Sequence, residues 1–276
     1  MKVGLRVLLL SIASAFIYLK CVSTVYAINI DNEQYYDLDS YLEKIADPMH
    51  FLYGKEEIVK RANAATFFVP RRATGVVLTA EGISATAAHV ITHLYIRETK
   101  DCSKLKVILN HQKLDGQFPK EEMAVCEEIY VLDTVRDIAI FKLKKINSDA
   151  PFDYAPAASK VDFENAFLIG HPNAIQYDKS SRVISDGPVV FLDLENEFLP
   201  HFLHLIDTQG GHSGSPVFNA QGQVIGIHFR GVPRYSDGVM AQIDGKEVKI
   251  KRFNVASSLF HLTKWYPDLI HLINFQ

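Results

Sequence analysis

The feature that most constrains the fold is a succession of short apolar runs, separated by turn residues, which begins after Arg61 of the 276-residue chain. The runs are Thr66–Val69, Thr74–Thr79, Ile83–Ala87, Leu105–Leu109, Ile138–Leu143, Ala166–Ile169, Val183–Ile184, Val189–Leu192, Leu203–Ile206, Pro216–Phe218 and Val224–Phe229. Runs of this length between glycine-containing turns are typical of β-strands. No long helical pattern separates them, so the sequence favours an all-β barrel or sandwich over a parallel α/β sheet.

Helical spacing occurs on either side of this β-rich region. Apolar residues within positions 35–46 recur at helical intervals, and Pro48 ends the pattern. Near the C-terminus, Val255 and Leu259 begin a run of apolar residues spaced three and four apart. We therefore predict a short helix before the strands and a C-terminal helix over residues 254–274.

Composition and charge exclude several classes of function. Hydrophobic residues make up 48% of the chain and charged residues 22%, a balance typical of globular and not of disordered proteins. The formal net charge is -3, so the chain lacks the basic field that nucleic-acid binding requires. We expect no nucleic-acid partner and no cofactor. The histidine pairs His89/His93 and His201/His204 lack a carboxylate or cysteine at ligand spacing, so no metal site is predicted.

Residues 1–27 have the pattern of a secretory signal peptide. Lys2 and Arg6 precede an uncharged apolar run over residues 7–19, which is shorter than the roughly 20 residues that span a bilayer. Cleavage after Ala27 would remove three basic residues and Cys21, and would change the formal net charge from -3 to -6. We expect a secreted or periplasmic protein whose mature form has no membrane anchor.

The two remaining cysteines, Cys102 and Cys126, each lie beside a strand-like stretch. A β-hairpin would bring them together, and an isolated pair in an exported protein is more often bridged than catalytic. The sequence therefore predicts a disulfide between them.

Three residues far apart in the sequence have types that support nucleophilic catalysis. His89 follows an apolar run, Asp137 precedes another, and Ser213 lies in the string Gly211-His212-Ser213-Gly214-Ser215-Pro216. Taken singly, each has an ordinary structural explanation as a packed histidine, a turn-forming aspartate and a tight loop. Taken together and in this order, the three indicate a catalytic constellation.

The chemistry of the three side chains is complementary. A serine hydroxyl is a weak nucleophile at neutral pH, so a neighbouring base must accept its proton during attack. Histidine suits this role because its unperturbed pKa of about 6.5 allows it to accept and return a proton near pH 7. A carboxylate on the other ring nitrogen orients the imidazole and stabilises its protonated form. Glycine at position 211 can adopt a positive φ, which helps backbone N–H groups converge on a developing oxyanion.

From about Asn63 onward, the sequence resembles the chymotrypsin-fold serine proteases, most specifically over Gly211–Pro216. The resemblance implies an all-β fold of two antiparallel six-stranded β-barrels, over residues 62–146 and 152–250, with the active site between them. The polar stretch Asn147–Pro151 would link the two barrels.

The same resemblance implies a role for each site residue. His89 would be the general base, Asp137 its orienting carboxylate and Ser213 the nucleophile. The backbone N–H groups of Gly211 and Ser213 would form the oxyanion hole. His212, between them, departs from the Asp or Asn that the family often has at this position.

The residues around Ser213 are similar to those of bacterial glutamyl endopeptidases, which cut after Glu and less readily after Asp. In that family, a Thr five residues before the nucleophile and a His on a later Gly-Ile-His strand line the specificity pocket. The resemblance implies these roles for Thr208 and His228. A hydroxyl and an imidazole can both donate hydrogen bonds to a buried substrate carboxylate.

The strand that follows His228 is implied to bind the substrate backbone by strand addition, through Phe229, Arg230 and Gly231. Asp207, six residues before the nucleophile, keeps a trypsin-like preference for Lys or Arg open.

The resemblance to glutamyl endopeptidases also implies that an N-terminal segment is removed on activation. Residues 28–61 would form this N-terminal or pro-segment, and Lys60-Arg61 is a candidate cleavage site. We expect a monomer whose partners are protein or peptide substrates. A catalytically silent protease-like binding module remains the alternative.

Overall fold

The computed structural model describes residues 35–92, 101–111, 120–160, 165–174, 181–190, 201–233, 238–243, 246–273 and 275–276. The predicted signal peptide, residues 1–27, lies outside the described residues. The described strands form two closed antiparallel barrels of six strands each. The predicted fold class is therefore confirmed.

The first barrel is built from β1 (Thr66–Val69), β2 (Ala73–Val77), β3 (Ile83–Thr86), β4 (Lys106–Ile108), β5 (Met123–Asp133) and β6 (Ile138–Lys145). Its strands follow the order β1-β2-β3-β6-β5-β4 around the barrel. Strands β5 and β6 form a hairpin in which Asp133 pairs with Ile138. The turn that contains Asp137 therefore lies at one end of the barrel.

A disulfide joins Cys102 and Cys126 in the first barrel, as predicted. Strand β4 pairs with β5, with Lys106 opposite Val125, and the N–H of Cys126 donates to Leu105 O at 2.9 Å. This pairing brings the two cysteines together.

The second barrel is built from β7 (Asn165–Gly170), β8 (Val183–Val190), β9 (His201–His204), β10 (Pro216–Phe218), β11 (Val224–Val232) and β14 (Phe253–Ser258). Its order is β10-β11-β14-β9-β8-β7. Between β11 and β14, the chain forms a two-stranded ribbon of β12 (Val239–Ile243) and β13 (Lys246–Ile250).

The predicted C-terminal helix over residues 254–274 is wrong in its first part. Residues Phe253–Ser258 form β14, which pairs with β11 on one edge and β9 on the other and so closes the second barrel. Two short helices follow, α4 (Leu259–Leu262) and α5 (Leu269–Leu272), with Pro267 between them. The apolar residues from Val255 onward are spaced three and four apart because a buried strand leads directly into a helical turn. Pro267 prevents the two helices from joining into one.

Two helices precede the first barrel, α1 (Leu38–Ile45) and α2 (Glu56–Ala65), and a third short helix, α3 (Ala88–Thr92), follows β3. Helix α1 confirms the helical prediction over residues 35–46. Its N-terminus is capped by Asp37, whose Oδ1 accepts from the N–H of Ser40 at 2.9 Å.

The largest apolar cluster lies where the two barrels meet. It includes Ile140 of the first barrel, Phe167 and Phe218 of the second, and Tyr41 and Val59 of the N-terminal helices, all fully buried. Burial of this shared apolar surface fixes the barrels and helices against one another. No helix among the described residues has both the length and the apolar character needed to cross a membrane.

Candidate active site

The register of the first barrel brings His89 and Asp137 together. Thr86 at the end of β3 pairs with Ala139 of β6, so the residues after β3 and before β6 meet at one end of the barrel. Nδ1 of His89, on α3, lies 2.8 Å from Asp137 Oδ2, and the backbone N–H of His89 donates to Asp137 Oδ1 at 2.9 Å. The carboxylate favours the tautomer with the proton on Nδ1, which leaves Nε2 able to act as a base.

Asp137 lies in a loop held by charged hydrogen bonds. It has a left-handed backbone with a φ of 50°, which aspartate tolerates better than most residues. Asp133 accepts from the backbone N–H of Arg136 at 2.9 Å, from its guanidinium at 2.6 Å and from Tyr266 Oη at 3.0 Å. Burial raises the pKa of Asp133, but these hydrogen bonds outweigh it and bring the pKa below its ordinary value. The Arg136 guanidinium also lies 4.0 Å from the centre of the Trp265 ring.

The carbonyl of Arg136 ties this loop to the second barrel. It accepts hydrogen bonds from Ser257 Oγ and from His201 Nε2, the latter at 3.3 Å. Burial is the largest cause of the lowered pKa of His201, which keeps its ring neutral. Sequence reasoning missed both residues, because a serine or histidine within a strand carries no signal of a contact so distant in the chain.

The loop that carries Ser213 is docked onto the first barrel. The N–H of Thr74, in β2, donates to Ser213 O at 3.0 Å. A Cβ atom on Gly214 would lie 2.1 Å from Thr86 Oγ1 and 2.2 Å from Thr74 O, and the φ of Gly214 is 82°. Both the close approach and the backbone conformation require glycine.

Because Thr86 ends the strand that leads into His89, this docking brings Ser213 to the end of the first barrel where His89 and Asp137 meet. Among the described residues, no hydrogen bond joins Ser213 Oγ to His89. The structure thus brings the serine loop to the end of the barrel that carries the His89–Asp137 pair.

The predicted oxyanion donors are the N–H groups of Gly211 and Ser213. Gly211 has a φ of 102°, and a Cβ atom there would lie 2.3 Å from His171 O. Neither N–H donates to another group within the described part of the chain.

His212, between the two donors, is fully buried. Its Nδ1 accepts a hydrogen bond from the N–H of Gln209 at 2.9 Å. Burial lowers the pKa of His212 to about 4, so its ring is neutral near pH 7.

Thr208 and His228 are both buried in the second barrel. Thr208 Oγ1 donates to Asn254 Oδ1 at 3.0 Å, and His228 Nδ1 lies 3.2 Å from His204 Nε2. Burial, followed by the neighbouring histidines, lowers the pKa of His228 well below its ordinary value and that of His204 to about 3. Both rings are therefore neutral near pH 7.

His204 is a contact of the predicted pocket that sequence reasoning missed. Its spacing was suggestive only of a metal pair with His201, but residues three apart on a strand point to opposite faces. His201 binds Arg136 O, whereas His204 binds His228. This alternation of faces along the strand was the signal available in the sequence. His93, of the other histidine pair, lies outside the described residues.

Phe229, Arg230 and Gly231, predicted to bind the substrate backbone, lie on β11. Arg230 and Gly231 pair with β14 on one side. On the other side, β10 pairs with β11 only as far as Ile227. Within the described residues, that edge of β11 carries no strand beyond the hydrogen bonds of His228.

Asp207, the residue that would favour a basic substrate, is buried, and its backbone oxygen accepts from Ser185 Oγ at 2.9 Å.

This two-barrel architecture, with a serine loop docked beside a paired histidine and aspartate, defines the class of the protein. The trypsin-like peptidase domain model matches residues 73–227, more than half of the chain, and the chain belongs to this family of chymotrypsin-fold serine proteases. A second model, that of peptidase S7, the flavivirus NS3 serine protease, matches residues 202–255.

Among individual proteins, the chain is similar to glutamyl endopeptidases of Staphylococcus aureus. It is 54% identical over 77 residues to that of strain MRSA252, which is 28% of this chain and 20% of the relative. The protein of strain MW2 has the same identity over 77 residues, 21% of its length. The chain thus spans about a fifth of the length of the curated relatives that it matches.

A solved structure supports the fold alone. The crystal structure of Deg5 matches with a TM-score of 0.53 at 16% sequence identity, covering 80% of this chain and 95% of the Deg5 chain.

Proposed function

We propose that the protein is a serine endopeptidase with His89 as general base, Asp137 as orienting carboxylate and Ser213 as nucleophile. The observation that carries the proposal is the pair of hydrogen bonds between His89 and Asp137, which hold the imidazole with Nε2 as its basic nitrogen. The trypsin-like family match supports the same reaction class.

In the proposed reaction, His89 Nε2 accepts the proton of Ser213 Oγ as that oxygen attacks the scissile carbonyl carbon. The C–N bond then breaks, the imidazolium gives its proton to the leaving amine, and the acyl group remains on Ser213. The same imidazole then deprotonates a water that attacks the ester carbonyl carbon, and the imidazolium returns this proton to Ser213 Oγ as the C–O bond breaks and the acid product leaves. The N–H groups of Gly211 and Ser213 stabilise the oxyanion, and each such donor typically contributes about 3–4 kcal/mol.

The test compares peptide hydrolysis and fluorophosphonate labelling of the wild type, Ser213→Ala and Ser159→Ala. Ser159 is exposed and serves as a matched control. We expect labelling at Ser213 and a loss of kcat on the order of 10⁶-fold in Ser213→Ala only, the magnitude typical of serine proteases that lose their nucleophile. A folded wild type with neither labelling nor turnover would instead favour the silent binding module.

We also propose a preference for Glu, then Asp, before the cut, with the substrate carboxylate bound by His228 and Thr208. The hydrogen bond from His204 Nε2–H to His228 Nδ1 would leave His228 Nε2–H to donate to the carboxylate. Asn254 holds the Thr208 hydroxyl, which would turn its hydrogen from Asn254 to the substrate. A buried carboxylate would raise the pKa of His228 and so strengthen the contact.

Peptides that differ only in Glu, Gln, Lys or Leu before the cut test this preference. We expect kcat/KM for Glu to exceed that for Gln by more than about tenfold. A site that binds a carboxylate through two buried donors leaves a donor without an acceptor when the substrate carries an amide instead. His228→Leu should reduce this ratio while Ser213 still reacts with fluorophosphonate. Preferred cleavage after Lys would point to Asp207, and preferred cleavage after Leu would contradict the acidic preference.

We propose that substrate binds in extended form along Phe229–Gly231, adding a strand to the open edge of β11. Pairing of Arg230 and Gly231 with β14 on the opposite edge supports this role because it holds the strand in place after the irregularity in register between His228 and Arg230. Gly231→Pro, which removes a backbone donor, should raise KM for long peptides more than for a single-residue ester.

We propose export to the periplasm or the exterior and a monomeric mature enzyme, on the basis of the signal-peptide pattern of residues 1–27. N-terminal sequencing of the exported protein and sedimentation analysis test these points. A retained residue 1, or a stable dimer, would contradict them.

A further inference from the structure

We propose that Tyr35 is a positioning residue for the oxyanion loop, acting through the ring of His212. This inference rests on the proposed protease function. It concerns how the two donor N–H groups of Gly211 and Ser213 are held in place, and it assigns a role to the chain segment that precedes α1.

The carrying observation is a ring contact. The rings of Tyr35 and His212 stack with their centroids 5.7 Å apart and an interplanar angle of 20°. His212 is the residue between the two oxyanion donors. The N–H of Ser213 belongs to the peptide group that His212 forms with Ser213, and the N–H of Gly211 lies on the peptide group one residue before that of the His212 N–H. A ring that rests on His212 therefore limits the motion of the donors themselves.

The other contacts of His212 involve its backbone, its Nδ1 atom and the edge of its ring. The face of the ring is where Tyr35 stacks. Its Nδ1 accepts from the N–H of Gln209 at 2.9 Å, and its own N–H donates to Gln209 O at 3.0 Å. At Gly170, a Cβ atom would lie 2.4 Å from His212 Cδ2, so the ring edge packs directly against the backbone of β7. His212 Nε2 is buried with no hydrogen-bond partner among the described residues. Because Nε2 makes no such hydrogen bond, stacking against the Tyr35 ring contributes more to holding the imidazole in its orientation than it otherwise would.

Tyr35 can serve as a support because the segment that follows it is itself fixed to the second barrel. The N–H of Tyr36 donates to Ile184 O at 3.0 Å, and the N–H of Ile184 donates to Tyr36 O at 2.7 Å. Lys44 of α1 forms an ion pair with Asp186 of β8 and lies 4.8 Å above the Tyr36 ring. The segment is thus bound to β8 by backbone and side-chain contacts.

The proposal changes how the N-terminal segment is understood. Tyr41 and Ile45 are fully buried, and Lys60-Arg61 lies inside α2. Cleavage at Lys60-Arg61 would break that helix and sever the covalent link between Tyr35 and the barrels, so that only non-covalent contacts would hold the segment in place. We therefore expect a processing cut that yields active protease to fall before Tyr35 and to leave residues 35–61 in the mature enzyme.

The test is a comparison of the full chain with Tyr35→Ala, Tyr35→Phe and Tyr53→Ala. Tyr53 belongs to the same segment but is 54% exposed, so its replacement removes an equal ring without touching the loop. We expect Tyr35→Ala to lower kcat about tenfold with KM changed less than about twofold, because oxyanion contacts form in the transition state. Affinity for a peptide aldehyde, whose adduct places an oxyanion in the hole, should fall by the same factor. Tyr35→Phe and Tyr53→Ala should resemble the wild type.

A second readout does not depend on catalysis. The N–H groups of His212, Gly214 and Ser215 donate to backbone oxygens, and their hydrogen exchange reports the order of the loop. In Tyr35→Ala this exchange should accelerate about tenfold, while exchange in the first barrel stays unchanged. Tyr35→Leu, which fills the same space without an aromatic ring, replaces the alanine variant if the latter does not fold, with about a threefold effect on both readouts.

The outcomes separate the two proposals. Faster exchange of the loop in an enzyme without peptidase activity would overturn the protease function and retain the positioning role. Normal wild-type activity with unchanged exchange and kcat in Tyr35→Ala would overturn the positioning role alone. An equal fall in kcat for Tyr53→Ala, or acceleration of exchange throughout the chain, would show a general loss of stability and would also overturn it.

Discussion

Asp137 in the first barrel and Ser213 in the second both lie in short loops, yet the two loops are stabilised by different kinds of contact. The Asp137 loop is held by ionic hydrogen bonds between Asp133 and Arg136, with Tyr266 and Trp265 against them. The Ser213 loop is held by neutral contacts, through glycines that admit close backbone approach and through buried uncharged histidines.

The difference indicates which changes each loop tolerates. A loop held by charge should lose stability when the Asp133 carboxylate is removed, because that group accepts the hydrogen bonds of Arg136 and Tyr266. A loop held by close backbone contact should be sensitive to a single methyl group and to protonation of its histidines. Substitutions in each loop, and a change of pH, can test this contrast.

The largest effect is expected in the charged loop. Asp137→Asn should lower kcat about 10⁴-fold, the magnitude known for serine proteases of this fold, because an amide can hold the wrong histidine tautomer. Stability should change little, since the amide retains the shape of the side chain. Asp153→Asn, at an exposed position, is the control. A fall of less than about tenfold would argue against the role of Asp137.

The next effect is expected in the serine loop. Gly214→Ala should destabilise the protein by about 3 kcal/mol or more and abolish most activity, because its Cβ would collide with Thr86 and Thr74 and its φ is positive. Gly210→Ala is the matched control, because a Cβ there meets nothing within 4 Å. Urea unfolding and peptide hydrolysis measure both effects. Equal results for the two variants would remove the contrast between the loops.

A smaller effect on stability is expected from removing the disulfide, which lies in the first barrel. Replacement of Cys102 and Cys126 by serine should lower the free energy of unfolding by about 3 kcal/mol, since the bridge closes a loop in the unfolded first barrel. Activity should remain within about twofold, because the described site residues lie in other loops. Unfolding of the wild type with and without a reductant gives the same comparison. An unchanged midpoint would contradict the prediction.

The smallest effect is expected from lowering the pH by one unit. It changes the free energy of unfolding through histidines buried in the second barrel. Burial lowers the pKa of His212 to about 4 and that of His204 to about 3, whereas unfolded histidine titrates near 6.5. Below pH 6.5 the unfolded state therefore binds protons that the folded state does not. The free energy of unfolding should decrease as the pH falls, by up to about 1.4 kcal/mol per pH unit for each histidine.

This acid sensitivity ends for each group near its folded pKa, about 4 for His212 and about 3 for His204. Urea unfolding between pH 7 and pH 5 measures the slope. His204→Phe should flatten it, whereas His271→Gln, at an exposed position, should leave it unchanged. A stability that rises on acidification over this range would contradict the buried neutral state.

Much of the fold could be predicted from sequence because each short apolar run records a strand directly. The failure at Val255 has a physical cause. Strand β14 is buried on both faces and lacks alternation, so its apolar residues were merged with those of the helical turn after it. The ribbon of β12 and β13 also escaped prediction, since residues 246–249 of β13 are exposed and mostly charged.

The candidate site divides in the same way. Ser213 and its glycines are close in sequence, so the string Gly211–Pro216 could carry the family resemblance from which their roles are predicted. Tyr35 and Ser257 act only through contacts made after folding, with His212 and Arg136 respectively. No local pattern can encode a contact across more than a hundred residues, and only the structure identified them.

The hydrogen bond from Thr74 to Ser213 O crosses between the barrels at the nucleophile itself. Any movement of one barrel relative to the other would therefore strain the backbone of the proposed nucleophile, together with the contacts of Ser257 and His201 to Arg136 O. A substitution between the barrels, far from the residues proposed to bind substrate, should for this reason also change turnover.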